Sequence, residues 1–171
     1  MTAFTLAHTA ISVLPVGFGL YALARRGGID PTTRAGKWYL GTMLTGTATG
    51  FGFIATLGFT PGQVLGLLTL ALLAVGTLTT KGEWRKPGYT QTVALTTSFL
   101  MLMVFLTTET LTRVPVGRPF ASGPADPALI PVRLGLLVAY LAMLGHQLLK
   151  VHADRVFDAR VARLLGVSRA A

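Results

Sequence analysis

Cysteine is absent from this chain of 171 residues, and charged residues are scarce, at 12% of the sequence. The charged share is about half that of an ordinary soluble domain, whereas hydrophobic residues make up 51%. So little charge cannot cover a water-facing surface, which excludes an ordinary soluble enzyme, and the apolar excess excludes disorder. Without cysteine there are no disulfides, iron–sulfur clusters or thiolate metal sites. The composition therefore predicts an integral membrane protein.

Five apolar stretches follow one another, each long enough to cross a bilayer as a helix. They predict spans at about 5–24, 38–59, 61–80, 89–110 and 128–149. Helices are expected because an open sheet would leave backbone groups unpaired in lipid. The sequence thus predicts an all-α polytopic bundle of five transmembrane helices in residues 1–149, followed by a tail at 150–171.

The basic residues predict the orientation of these spans. Twelve of the fifteen Lys and Arg residues fall in the first loop, the third loop and the tail, whereas the fourth loop holds Arg113 and Arg118. Basic residues collect on the cytoplasmic side of membrane proteins. Five spans then place the N-terminus outside and the C-terminus in the cytoplasm of a bacterial inner membrane. The same rule accounts for the net charge of +9 without a nucleic-acid partner.

The tail has the pattern of a basic amphipathic helix. Apolar side chains recur at helical spacing, at Val156, Phe157, Val161, Leu164 and Leu165. Basic side chains fall largely on the other side, at Arg155, Arg160 and Arg163. This pattern predicts a helix on the inner membrane surface in contact with anionic lipid. Docking of another subunit on the tail is the alternative.

Small residues mark where the spans are expected to pack. Span two contains the pair Gly46 and Gly50, and span three begins with the pair Gly62 and Gly66. A small residue every fourth position lets two helix backbones approach closely in lipid. The pattern predicts helix packing within the bundle, with homodimerisation through span two as the alternative.

Three ionisable residues are predicted to reach the same outer level of the bundle. His8 lies in span one, Glu109 near the end of span four, and Arg133 near the start of span five. Ionisable residues inside spans are costly and often functional. They predict an outer polar site with His8 as the best candidate metal ligand. The alternative is that each side chain reaches the interface by itself.

His146, near the inner end of span five, is a second candidate ligand, or else a packing residue. It lies about a bilayer thickness from His8, so the two cannot share one haem b. Haem would need a further ligand, either from a partner chain or from a methionine such as Met101 or Met103 in span four. The sequence contains no phosphate-binding loop, zinc-protease motif or nucleophile elbow. No cofactor is therefore assigned and no enzymatic activity is expected.

The first two spans carry short motifs of a known kind: His8, Arg26-Gly27-Gly28, and Arg34-Ala35-Gly36-Lys37-Trp38-Tyr39. Over residues 8–55 the chain resembles bacterial membrane proteins grouped as domain of unknown function 2306. The resemblance implies a polytopic membrane protein and includes His8 in its pattern. The family pattern has a histidine where this chain has Thr33. If that histidine is a ligand in the family, this chain has lost it.

These observations predict a small non-enzymatic inner-membrane protein, acting as an accessory or assembly subunit of a larger membrane complex. Small size, missing catalytic motifs, glycine-rich helix faces and a basic tail favour this interpretation. One alternative is a haem- or metal-binding redox module that uses His8 with a ligand from a partner. A second alternative is a small transporter or channel subunit.

Overall fold

The prediction of an all-helical protein is confirmed by a computed structural model, which describes residues 3–80 and 88–165. The helices are α1 (Ala3–Arg26), α2 (Arg34–Phe51), α3 (Ile54–Leu57), α4 (Pro61–Leu78), α5 (Tyr89–Leu111) and α6 (Ile130–Leu164), the last preceded by a 3-10 turn at Pro127–Leu129. These ranges contain no strand. The basic residues of the predicted third loop and Arg169 of the tail lie outside them.

Among the described residues, four helical segments are long and apolar enough to cross a membrane: Ala3–Arg26, Pro61–Leu78, Tyr89–Leu111 and Pro127–Leu164. The prediction of a membrane protein is confirmed at this level. Helix α2 is not among the four, because it begins with Arg34 and Lys37 and continues with many Gly and Thr residues. It also ends at Phe51, short of the predicted end of span two at residue 59. Gly52 and Gly58 interrupt the helix between residues 51 and 59, and Gly58 has a φ of 70°.

Helices α1, α2, α4 and α5 form a four-helix bundle in which each helix packs against two of the others. Its core contains Tyr39 from α2, Leu73 from α4, and Leu95 and Phe99 from α5. Gly19 brings α1 close to this core, since a Cβ atom at that position would lie 2.5 Å from the Phe99 ring. Apolar contact and small residues together therefore hold α1 against α5.

The four glycines predicted to mediate packing face neighbouring helices of the same chain. An added Cβ would meet Ser12 of α1 at Gly46, and His8 of α1 at Gly50. On α4, a Cβ at Gly62 would meet the Phe105 ring of α5, and one at Gly66 would meet Thr47 and Phe51 of α2. All these distances lie between 3.3 and 3.5 Å. The glycines thus permit close contacts inside the bundle.

Helix α6 packs against α5 on the outside of the four-helix bundle. It runs without a break for 35 residues, or about 52 Å. The sequence predicted that a span would end near residue 149 and that a separate surface helix would follow. The structure instead continues the span directly into the tail, because no proline follows Pro131 and the segment is rich in Ala, Leu and Arg.

Two loops are fixed by short polar motifs. Before α2, Thr33 caps the helix by accepting a hydrogen bond from the Gly36 N–H at 3.1 Å, and its hydroxyl donates to the Asp30 carbonyl oxygen at 2.8 Å. Before α6, the Asp126 carboxylate accepts hydrogen bonds from the N–H groups of Ser122 and Ala128. The position where the resembled family has a histidine is therefore a helix cap here.

Candidate functional site

His8, on α1, lies half-buried against α2, near the end of the bundle that holds Glu109 of α5. Its Nδ1 is 2.9 Å from the Thr49 hydroxyl oxygen, and its Nε2 is 3.5 Å from the Ser12 hydroxyl oxygen. The Phe53 ring approaches the imidazole edge-on, with 5.1 Å between ring centroids. Gly50 leaves room for the ring, since a Cβ there would lie 3.5 Å from His8 Cε1.

The hydrogen bonds open to Thr49 link its hydroxyl orientation to the position of the proton on His8. The Thr49 hydroxyl donates to the carbonyl oxygens of Thr45 and Gly46, each at 2.9 Å. A hydroxyl has a single hydrogen, so when that hydrogen points at either carbonyl oxygen, the Thr49 oxygen accepts from His8 Nδ1–H. In the neutral imidazole Nε2 then carries the lone pair. This atom is the one available to a proton or a metal ion.

Glu109 lies within Coulombic range of His8 but forms its ion pair elsewhere. Its carboxylate accepts two hydrogen bonds from Arg113, at 2.9 Å and 2.5 Å, in the turn that follows α5. The Arg113 and Glu109 side chains are 63% and 37% exposed, so this pair contributes at most about 1 kcal/mol. The structure thus brings Glu109 towards His8, and it pairs Glu109 with Arg113, which the sequence had suggested only as a loop residue.

Arg133 is not paired with Glu109. One of its terminal N–H groups donates to the Pro124 carbonyl oxygen, and its Nε is buried without a hydrogen-bond partner in the described part of the chain. Arg133 therefore holds the loop before α6 rather than joining the outer polar site. Within residues 3–80 and 88–165, no three His, Asp or Glu side chains are grouped so as to hold a metal ion.

His146 is exposed on α6, whereas the neighbouring Gln147 is buried against α5 with 4% exposure. The His146 ring therefore points away from the contact between α5 and α6. It also lies about 9 Å further into the span than His152, six residues along the helix. The predicted inner ligand is thus on the outer face of the bundle, where lipid or another protein would meet it.

Three polar pairs inside the helices were missed by the sequence analysis. The Tyr39 hydroxyl meets the Ser98 hydroxyl at 2.8 Å and joins α2 to α5. Thr96 donates to the Gln147 side-chain oxygen at 2.7 Å, and the Thr97 hydroxyl meets the Tyr140 hydroxyl at 2.7 Å. The last two pairs join α5 to α6. In the sequence, these residues are recognisable as neutral polar residues inside apolar runs. The predicted site was based on ionisable residues only and therefore did not include them.

A second polar cluster lies where α5 begins and α6 passes it. The Tyr89 hydroxyl is 3.1 Å from His152 Nδ1, and the Arg155 guanidinium stacks over the Tyr89 ring, 4.5 Å from its centroid. We call Tyr89, His152 and Arg155 the rim cluster. Of the three arginines predicted to meet the membrane surface, Arg155 is fixed by this contact, while Arg160 and Arg163 are exposed further along α6.

No family model, curated protein or solved structure matches this chain. The resemblance over residues 8–55 stays a prediction.

Proposed function

We propose that this protein is a small non-enzymatic accessory or assembly subunit of the bacterial inner membrane, which packs α6 against another membrane protein. The observation that supports the proposal is the outward face of α6, where a histidine and small residues lie uncovered within a membrane-crossing helix. Neither a catalytic motif nor a soluble domain is needed for this role.

The outward face of α6 has the composition of a helix-packing surface. Gly135, Ala139, Ala142 and His146 recur at spacings of four, three and four residues, so they share one face, and all four are exposed. An added Cβ at Gly135 would meet nothing within 4 Å. Small residues let a partner helix approach closely, and an imidazole facing hydrocarbon is costly without a polar partner. A neighbouring protein helix satisfies both requirements better than lipid does.

The packing of α2 supports five spans rather than four. Its contacts with α1 run from Phe53 beside Phe4 to Trp38 stacked on Phe18, so the helices are antiparallel and matched over about 21 Å. A helix aligned in this way crosses most of the membrane wherever α1 does. The Gly and Thr residues that lower its hydropathy face α1 and α4 at several positions, which reduces their cost in lipid.

The charged ends of the helices support an external N-terminus. Helix α1 ends with Arg25 and Arg26, α2 begins with Arg34 and Lys37, and Lys150 of α6 lies near the loop between them, with its Nζ 4.0 Å from a Cβ built on Gly27. All of these basic side chains are exposed at one end of the bundle. By the positive-inside rule that end faces the cytoplasm.

The lack of cysteine makes a direct test of the α6 face possible. We expect Ala142→Cys to form a mixed crosslink in native membranes, using a short thiol-to-amine crosslinker and mass spectrometry to identify the partner. Ala71→Cys is the matched control, because Ala71 is an exposed alanine on α4. An integral membrane protein crosslinked through residue 142 but not through residue 71 is the expected result. Equal crosslinking at both positions, or a second copy of this chain as the partner, would contradict the proposal.

A second candidate function is a haem- or metal-binding module centred on His8, and the contact of His8 Nδ1 with the Thr49 hydroxyl favours it. Metal-binding histidines usually donate their other ring N–H to an oxygen, which fixes the ring orientation. The Thr49 oxygen, 2.9 Å from His8 Nδ1, is placed to accept such a bond, and Nε2 is then the possible ligand atom. A partner chain would supply the remaining ligands.

An absorption spectrum and metal analysis of the gently purified complex test this candidate. We expect a chromophore or metal in stoichiometric amount to be lost on His8→Ala and kept on His152→Ala, a control on the rim of α6. Stoichiometric metal that survives His8→Ala would exclude His8 as the ligand. A colourless, metal-free complex would exclude the haem- or metal-binding candidate, so that the accessory-subunit proposal would be the one that remains.

A further inference from the structure

The rim cluster lies at the depth where lipid headgroups meet the protein. Helix α5 has 23 residues and a length of about 34 Å, slightly more than the hydrocarbon core of a bilayer, about 30 Å thick. Tyr89, its first residue, therefore lies at the boundary between hydrocarbon and headgroups, a depth that tyrosine favours. His152 and Arg155 lie beside it on α6. The remaining residues of α6, up to Leu164, extend about 14 Å further through the headgroup layer.

Arg155 is held in a geometry suited to a phosphate group. Its guanidinium stacks on the Tyr89 ring, and a Cβ built on Gly88 would lie 3.5 Å from one of its terminal nitrogens. Stacking occupies the face of the planar guanidinium and leaves its N–H groups directed outward in the plane. An arginine in this state binds phosphate oxygens through two parallel hydrogen bonds. The ring contact also reduces the side-chain entropy lost when the phosphate binds.

Charge and apolar surface occur together on this part of α6. Arg160 and Arg163 follow Arg155 along the helix, so the arginines outnumber the carboxylates of Asp154 and Asp158. On the hydrocarbon side of Arg155, Leu149 of the same helix is 72% exposed. An anionic phospholipid complements both features, because its phosphate meets the arginines and its acyl chains meet apolar side chains. A free phosphate ion would cover the charge alone.

We propose that the rim cluster binds the phosphate group of an anionic phospholipid, with Arg155 as the main contact and Tyr89 positioning it. The proposal goes beyond the accessory-subunit function and does not depend on it. It uses the end of α6, whereas subunit packing uses the face around Ala142.

Native mass spectrometry of the full-length protein, released from nanodiscs of mixed phosphatidylglycerol and phosphatidylcholine, tests the proposal. We expect the wild-type protein to retain phosphatidylglycerol in preference to phosphatidylcholine. Arg155→Gln should lower this preference about five-fold, the loss expected for one basic residue near an anionic surface. Arg118→Gln removes the same charge from an exposed arginine in the loop after α5 and should leave the preference unchanged.

Two further variants separate the role of the ring from that of the charge. Tyr89→Phe keeps the ring under Arg155 and should retain lipid as the wild type does, which also shows that the protein is folded. Tyr89→Leu removes the ring and should lower the preference in the same direction as Arg155→Gln. Equal losses in Arg155→Gln and Arg118→Gln would overturn the proposal, since they would indicate binding by net charge alone. Displacement of the lipid by excess inorganic phosphate would indicate a free-anion site and would also overturn it.

Discussion

The hydrogen bond between His8 and Thr49 is the main polar link between α1 and α2, and its strength can be measured. We expect Thr49→Val to lower the free energy of unfolding by about 1 kcal/mol, in the upper part of the range for hydrogen bonds between membrane helices. The variant removes the acceptor of His8 Nδ1–H while keeping the shape of the side chain. Reversible unfolding in detergent micelles gives the measurement.

Thr45→Val is the control for this change, because the Thr45 hydroxyl is exposed and donates only to the Gly41 carbonyl oxygen of its own helix. It should alter stability by much less. A double-mutant cycle with His8→Ala isolates the bond, since Thr49→Val should have little effect once the imidazole is gone. Equal effects of Thr49→Val with and without His8 would show that the bond contributes nothing.

The pKa of Asp126 predicts how the loop before α6 responds to acid. Hydrogen bonds from the N–H groups of Ser122 and Ala128, and then from the Ser122 hydroxyl, hold the pKa of this carboxyl below its ordinary value. A lower pKa in the folded state means that the unfolded chain binds the proton more readily. The stabilisation by the Asp126 carboxylate is therefore present above the pKa of an aspartate in the unfolded chain, about 3.9. It is lost as the pH falls through the lower pKa that Asp126 has in the folded protein.

We expect amide hydrogen exchange of residues 122–129 to become faster than that of α5 as the pH falls below about 4, after correction for intrinsic exchange rates. Asp126→Asn has no carboxyl to titrate, so exchange in this segment should be uniformly faster and independent of that transition. An acid transition of the same size in Asp126→Asn would assign it to another group.

Single residues show where sequence reasoning succeeds and where it stops. Glu109 lies in the last turn of α5 and Arg113 follows it by four residues, so their ion pair could have been predicted from the sequence spacing. The proton position on His8 could not, because it depends on the neighbouring helix and on the two carbonyl oxygens that occupy the Thr49 hydroxyl. The link between Arg133 and Pro124 depends on a loop path that no periodic pattern encodes.

Among the helices, α2 shows a glycine requirement that the sequence motif alone does not explain. A Cβ added to Gly36 would lie 1.8 Å from the Asp30 carbonyl oxygen, and this carbonyl is held by hydrogen bonds from Thr33. We expect Gly36→Ala to lower the free energy of unfolding by about 3 kcal/mol, the upper end of the cost of overpacking. Thermal unfolding in detergent measures the change.

Gly41 of the same helix is the matched control, because a Cβ there would meet nothing within 4 Å. Gly41→Ala should be neutral or should stabilise the helix by up to about 1 kcal/mol, as alanine does inside helices. Similar losses for both variants would mean that glycine is needed for helix flexibility rather than for the contact with Asp30.

Helix boundaries show why the fold was only partly predictable. The hydropathy of α1, α4 and α5 located these helices within a few residues, because lipid-facing side chains dominate their composition. Helix α2 is instead defined by its packing between α1 and α4, and its end depends on glycines near residue 52. The tail continues α6 because local helix propensity outweighs the change in composition at residue 150.

In the molecule as a whole, α6 is attached differently from the other long helices. The four-helix bundle shares an apolar core around Tyr39, whereas the seam by which α6 packs on α5 includes the polar pairs Thr96–Gln147 and Thr97–Tyr140. Gln147 Nε2 is buried there without a hydrogen-bond partner in the described ranges. A buried donor in that state lowers the stability of the seam. Opening of α6 should therefore cost less free energy than opening of the bundle.

This difference predicts that α6 separates from the bundle before the bundle unfolds. We expect Tyr140→Phe, which removes one hydroxyl of the seam, to speed amide hydrogen exchange in residues 136–151 and to leave exchange in α1 and α2 unchanged. Tyr39→Phe removes the corresponding hydroxyl in the core and should speed exchange across α2 and α5 together, because that bond joins two helices of the cooperative bundle. If Tyr140→Phe speeds exchange equally in all the long helices, α6 belongs to the same cooperative unit as the bundle. The outward face of α6 would then be part of a rigid bundle rather than of a helix that can separate from it.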